Sequence, residues 1–174
     1  MAGEKYSRLG GGADGFVYDA MRHFYGPKFN PIYDVVDTSS NLAHSSHFGA
    51  SDRKRFFDNF APCIGQKYGL AMATGMIHLL PEPRKSLDEF FSNDLEYAFI
   101  GRCPIMPELK RDRLAIFRSG HSYPCWFFSE NWRNKLEEYG QIIFEIKDYD
   151  NPYMLDGSPV ISTSFLIKKR IGAI

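Results

Sequence analysis

The hydrophobic positions change their period part-way along the chain. Phe16, Val17, Ala20, Met21 and Phe24 recur at helical spacing. They predict an amphipathic helix over 15–25, capped by Asp14 and stopped by Gly26-Pro27. Ser51 ahead of Phe56, Phe57 and Phe60 predicts a short helix over 51–60. The apolar, small-residue run YGLAMATGMIHLL, from Tyr68 to Leu80, predicts a buried helix over 66–80. Ser86 and Glu89 have capping-box spacing and predict a helix through 92. The period then becomes two. Leu95, Tyr97 and Phe99 alternate with Glu96 and Ala98, and Ile142, Phe144 and Ile146 share one side. Strands are predicted over 95–99, 114–118, 124–128, 141–147 and 160–168, with 103–107 read as a proline-punctuated loop and Asp156-Gly157 as a turn. One helix interrupts them. Ser129 is its cap, Trp132, Leu136 and Tyr139 form its apolar stripe, and Gly140 is the expected left-handed stop.

This pattern predicts an α+β fold. Its N-terminal half is helical, and its C-terminal half is a mostly antiparallel sheet with a packed helix. Residues 14–174 read as a single domain and 1–13 as a flexible, glycine-rich leader. Gly10-Gly11-Gly12 does not read as a phosphate loop, because no Gly-Lys-Ser/Thr follows and no apolar strand precedes it. The segment 27–51 carries Pro27, Pro31 and several Ser and Asn, and reads as a long loop with one extended piece near 33–36. Loops of that length are often functional.

Composition narrows the function classes. The 174 residues carry 21 basic and 21 acidic side chains, a formal net charge of +0. That balance gives no global attraction to nucleic acid or anionic lipid, so neither is an expected partner. The longest apolar run falls short of the roughly 20 residues that span a bilayer. No apolar h-region follows the N-terminus, so no secretory signal is expected. Three cysteines, none in a CxxC pair, fit a reducing, cytoplasmic setting with free thiols. Aromatics make up 16%, with Phe 15, Tyr 10 and Trp 2, enough rings for a thick core or a ring-lined surface.

Few constellations could carry chemistry. His44 and His47 form HSSH and are the candidates for metal ligation, with Asp34 or Asp37 as an oxygen donor. No further ligand has readable spacing, and no metal is expected. Cys125 with His121, and Cys63 with His78, are nucleophile-and-base pairings in principle, but Cys125 sits in the apolar stretch PCWFF and reads as core. Ser162-Thr163-Ser164 is similar to the STS strand of arginine-specific ADP-ribosyltransferases, yet no Glu follows it. It reads as a strand with alternating hydroxyls. No catalytic residue and no cofactor are assigned.

Residues 114–146 read LAIFRSGHSYPCWFFSENWRNKLEEYGQIIFEI. Phe117-Arg118, Phe128-Ser129-Glu130, Leu136, Gly140 and Phe144 resemble the C-terminal unit of bacterial immunity proteins that neutralise polymorphic toxins. The resemblance implies a non-enzymatic protein binder that works by occlusion, with a toxin domain or an assembly neighbour as partner. Aromatic and arginine anchors would carry such binding. The candidates are Arg118, Tyr123, Trp126, Trp132, Tyr149 and Tyr153. Two other readings stand beside it: an accessory structural subunit of a large assembly, and a small enzyme or ligand-binding domain with a pocket near the 27–51 loop. The oligomeric state is not legible.

Overall fold

In a computed structural model the described residues are 5–9, 16–28, 30–45, 51–119 and 121–170. For 5–9, 16, 44, 45, 118, 119, 121, 122 and 150–153 the description covers the backbone only. The elements run β1 (Lys5–Leu9), α1 (Phe16–Tyr25), β2 (Ile32–Val36), α2 (Ser39–Ser45), β3 (Lys54–Phe57), β4 (Lys67–Thr74), α3 (Pro83–Ser92) and β5 (Asp94–Ile105). The hairpin β6 (Arg113–Ser119) and β7 (His121–Phe127) follows, then α4 (Asn131–Tyr139), β8 (Gly140–Leu155) and β9 (Ser158–Lys169). Short 3-10 turns occupy Ala61–Cys63 and Ile77–Leu79.

Seven strands form one sheet in the order β3-β2-β1-β4-β5-β9-β8, and β6-β7 forms a separate two-stranded sheet. The first five are parallel to their neighbours, and β9 is antiparallel to both β5 and β8. The strand order reverses at β1. The chain runs outward through β2 and β3, then returns to place β4 and β5 on the other side. Such a switch point opens a crevice outside the carboxyl ends of the strands, where open α/β sheets bind ligands.

Both faces of the sheet are covered. Tyr33 and Val35 of β2 pack against Val17 and Tyr18 of α1. Strand alternation sends Val36 to the opposite face, into the main core with Leu87, Phe90 and Phe91 of α3 and Trp132, Leu136 and Tyr139 of α4. Phe91 and Tyr139 stack at 4.3 Å between ring centroids, tying the two helices together.

Several sequence expectations are corrected. The fold is α/β with a five-stranded parallel run, and its N-terminal half is not helical. Residues 51–60 supply β3, and 66–80 supply β4 and a 3-10 turn. A central parallel strand is apolar on both faces, so YGLAMAT carries no period that separates it from a buried helix. Lys5–Leu9, placed in the leader, is the strand between β2 and β4. Within 27–51 the extended piece expected near 33–36 is β2, while Ser39–Ser45, read as loop, forms α2. Ile105 still belongs to β5, so the strand runs into the expected proline loop. Pro83 takes the first turn of α3, and the Ser86 hydroxyl donates back to the Glu82 carbonyl at 3.0 Å instead of capping. Gly140 is extended, with φ −178°, and not left-handed.

Candidate functional site

The parallel strands end level with one another, since Leu9 pairs with Val36 and with Ala73, and Val36 pairs with Phe57. The residues just past those ends therefore share one edge of the sheet. After β2 come Asp37, Thr38 and Ser39; after β3, Asp58 and Asn59; after β4, Gly75 and the turn that carries His78.

Asp37 is only 7% exposed. Its Oδ1 accepts the Thr38 backbone N–H at 2.7 Å and the Asn41 side-chain amide at 2.8 Å. Its Oδ2 is buried and has no hydrogen-bond partner among the described residues. A carboxylate oxygen in that condition costs free energy unless a donor reaches it. The Asp37 backbone N–H donates to the Phe57 carbonyl at 3.1 Å, and the Ser39 hydroxyl to Asp58 Oδ2 at 3.5 Å, which joins the ends of β2 and β3. Asn59 donates its amide to Asp58 Oδ1 at 2.7 Å. The edge thus presents two carboxylates, one buried with an open acceptor and one exposed.

The neighbouring Asp34 behaves differently. It is fully buried, and it accepts Arg55 Nε and Nη2 at 2.7 and 2.8 Å and the Tyr68 hydroxyl at 2.7 Å. The bond to Asp34 raises the Arg55 pKa, and burial raises those of Tyr68 and of Cys63 beside it. With three donors engaged, Asp34 is a structural ion pair and not a free ligand.

On the other side of the switch point, a cavity of about 200 Å³ lies beneath the β6–β7 hairpin. Its lining includes Gly75 and His78 from the end of β4, Arg102 from β5, Ser162 from β9, and Phe117 and Tyr123 from the hairpin. Burial pushes His78 down to about 4, so its imidazole is neutral at physiological pH, and its Nδ1 is buried without a partner among the described residues.

The anchors expected from the sequence are scattered. Trp132 is fully buried and stacks on Phe128 at 3.7 Å. Tyr123 lies against Phe117 in the hairpin, and Trp126 lines a different, open depression with Arg84 and Asp112. Tyr149 is exposed on the edge strand β8. Arg118 and Tyr153 lie on β6 and β8, but their side chains are outside the description, as are those of His44 and His121; His47 is outside the described residues altogether. Among the described residues no group of three or more His, Cys, Asp or Glu could hold a metal. Cys63, Cys103 and Cys125 are buried and unpaired. Burial pushes the Cys125 thiol up to about 11, which keeps it protonated and unsuited to act as a nucleophile.

Two signals were open to sequence reading and were missed. Residues 10–15 read Gly-Gly-Gly-Ala-Asp-Gly, the G-x-G-x-x-G spacing of nucleotide-binding turns. That motif needs a strand before it and a helix after it, and β1 ends at Leu9 while α1 begins at Phe16. The six residues themselves lie outside the described residues. The second signal is an acidic residue past the next strand, here Asp37.

No protein-family model matches the sequence, and no curated protein matches it. Solved structures do match the fold. One is a putative S-adenosylmethionine-dependent methyltransferase from Listeria monocytogenes, at TM-score 0.66 and 11% identity, with 97% of this chain and 92% of that chain covered. Another is an S-adenosylmethionine-dependent methyltransferase from Mesorhizobium loti, at TM-score 0.59 and 13% identity, covering 94% and 91%. A third is magnesium protoporphyrin IX methyltransferase from Synechocystis PCC 6803 with bound S-adenosylmethionine, at TM-score 0.56 and 11% identity, covering 94% and 70%.

These likenesses overturn the immunity-protein reading, and with it toxin neutralisation by a non-enzymatic binder. Residues 114–146 form the β6–β7 hairpin, α4 and the start of β8 within a larger α/β fold. Of the readings drawn from the sequence, the small enzyme or ligand-binding domain is the one that the neighbours support. At these identities the likeness is one of fold, and that fold is shared with S-adenosylmethionine-dependent methyltransferases.

Proposed function

We propose that this chain is a methyltransferase domain that binds S-adenosylmethionine at the carboxyl edge of β1, β2 and β3. The observation that carries the reading is Asp37. It is a buried carboxylate at the end of the strand beside β1, with one oxygen engaged and the other open. A ribose diol offers the two adjacent hydroxyl donors that such an oxygen lacks. Asp58, exposed at the end of β3, offers an acceptor to the amino group of an adenine. This pair of carboxylate acceptors therefore fits an adenosine. Bound there, the cofactor supplies an activated methyl group on a positively charged sulfur. The chain's own residues hold and orient the nucleoside.

The balance of 21 basic and 21 acidic residues favours a small-molecule acceptor over nucleic acid. A cytoplasmic location goes with this reading, supported by the three unpaired buried cysteines. Among the described residues no helix is long and apolar enough to cross a membrane.

The reading is tested by thermal unfolding with S-adenosylhomocysteine, adenosine and NADH. A ligand that binds only the native state raises the unfolding temperature. S-adenosylhomocysteine should raise it most, adenosine less, and NADH should leave it unchanged. In Asp37→Ala the shift with S-adenosylhomocysteine should largely vanish, because a lost charged acceptor costs about 1.5–3 kcal/mol, or roughly ten- to hundred-fold in affinity. A larger shift with NADH would make this a dinucleotide site instead. No shift with any ligand would end the nucleoside reading.

A further inference from the structure

The cavity beneath the hairpin is lined by Arg102, an exposed arginine held at an unusual backbone position. Arg102 is not glycine, yet its φ is +59°. A left-handed backbone at such a residue is strained and persists only where its surroundings impose it. It sits at the irregularity in the β5–β9 register between Ile100 and Cys103, and bulges of this kind re-aim a side chain. The Arg102 backbone N–H donates to Ser164 Oγ at 3.1 Å, and the Gly75 N–H donates to the Gly101 carbonyl at 2.9 Å, which locks the bulge to the end of β4. The Arg102 side chain lies over that end, since a Cβ added to Gly75 would stand 3.7 Å from its Cδ. No carboxylate among the described residues pairs with its guanidinium.

The rest of the lining constrains the guest. Phe117, Tyr123 and Phe127 supply ring surface from the hairpin, suited to stacking or edge contact with a flat ring. About 200 Å³ is below the roughly 300–1,000 Å³ of pockets for drug-sized ligands, so a single ring fits better than a fused system. His78 lines the same cavity, and its Nδ1 is buried without a partner among the described residues, a site that a ring hydroxyl or amine would satisfy.

We propose that this cavity binds a small single-ring aromatic carboxylate, with Arg102 pairing the carboxylate and His78 a polar ring substituent. As the acceptor beside a bound cofactor this rests on the function proposed above; as a binding site it stands on its own residues. The cavity and Asp37 lie two to four strands apart, at roughly 4.8 Å per strand.

The test is a protein-observed NMR titration of the full chain with 4-hydroxybenzoate and with its neutral counterpart 4-hydroxybenzamide, run with and without S-adenosylhomocysteine. The acid should bind about tenfold tighter, which is about 1.4 kcal/mol, and the preference should weaken with added salt. Arg102→Gln should abolish the preference, and Arg102→Lys should keep part of it. Arg102→Gly relieves the backbone strain, so it should fold at least as well as the parent and still lose the preference. Equal binding of acid and amide, a preference that survives Arg102→Gln and Arg102→Gly, or no binding of either at millimolar concentration would each overturn the proposal. S-adenosylhomocysteine affinity is read separately and should not change in these variants. Charge-dependent binding of the acid without any binding of S-adenosylhomocysteine would sink the cofactor reading and leave this one standing.

Discussion

His78 and Asp37 flank the switch point from opposite sides, and each keeps a buried polar atom without a partner among the described residues. For His78 this has a consequence for stability. Its folded pKa of about 4 lies below its ordinary value of 6.5, and burial is the cause. The unfolded chain therefore binds a proton at this side chain between those values while the folded chain does not. Stability contributed in this way is present above pH 6.5 and is lost as pH falls towards 4, by up to about 3 kcal/mol. Urea unfolding at a series of pH values should show that decline, and His78→Phe, which cannot titrate, should flatten it. An unchanged slope in His78→Phe would mean that other groups carry the acid sensitivity. Asp34 makes the contrasting case, because its three donors spend its charge within the fold.

At the scale of elements, Gly140 joins α4 to β8 where the chain passes close to β9. A Cβ there would collide with the Lys168 carbonyl oxygen and stand 2.8 Å from Ile167 Cγ2. Backbone cannot give way as a flexible side chain can, so Gly140→Ala should cost about 1–3 kcal/mol through overpacking, read from the urea midpoint. A loss under about 0.5 kcal/mol would show that β9 can move aside. The sequence marked this glycine for the wrong reason: its position after an amphipathic helix suggested a left-handed cap, while its use is to allow close approach. The same division runs through the chain. α1 and α4 were legible because one face of each is apolar at helical spacing, β8 because its first residues alternate, and β9 because it is rich in β-formers. The parallel strands were not. β4 is buried on both faces and has no period to read, β3 is four residues with two aromatics, and β1 carries no apolar run. Missing β1 hid the site as well, since a glycine run with no strand ahead of it reads as a loose end, and Asp37, just past the extended piece expected near 33–36, then had no neighbouring strand to share an edge with.

At the scale of the whole molecule, the candidate site belongs to no single element. Asp37 and Asp58 follow two different strands, and the cavity draws on β4, β5, β9 and the hairpin. What gathers them is the strand order, which reverses at β1 and places every carboxyl end of the parallel run along one edge. Recognition of an adenosine-bearing cofactor is the claim on which the rest depends. Isothermal titration of S-adenosylhomocysteine into the full chain tests it most directly. Saturable binding with one site per chain is expected, weakened about tenfold or more in Asp37→Ala and unchanged in Arg102→Gln. No heat of binding in the folded parent chain, or an affinity indifferent to Asp37→Ala, would contradict it.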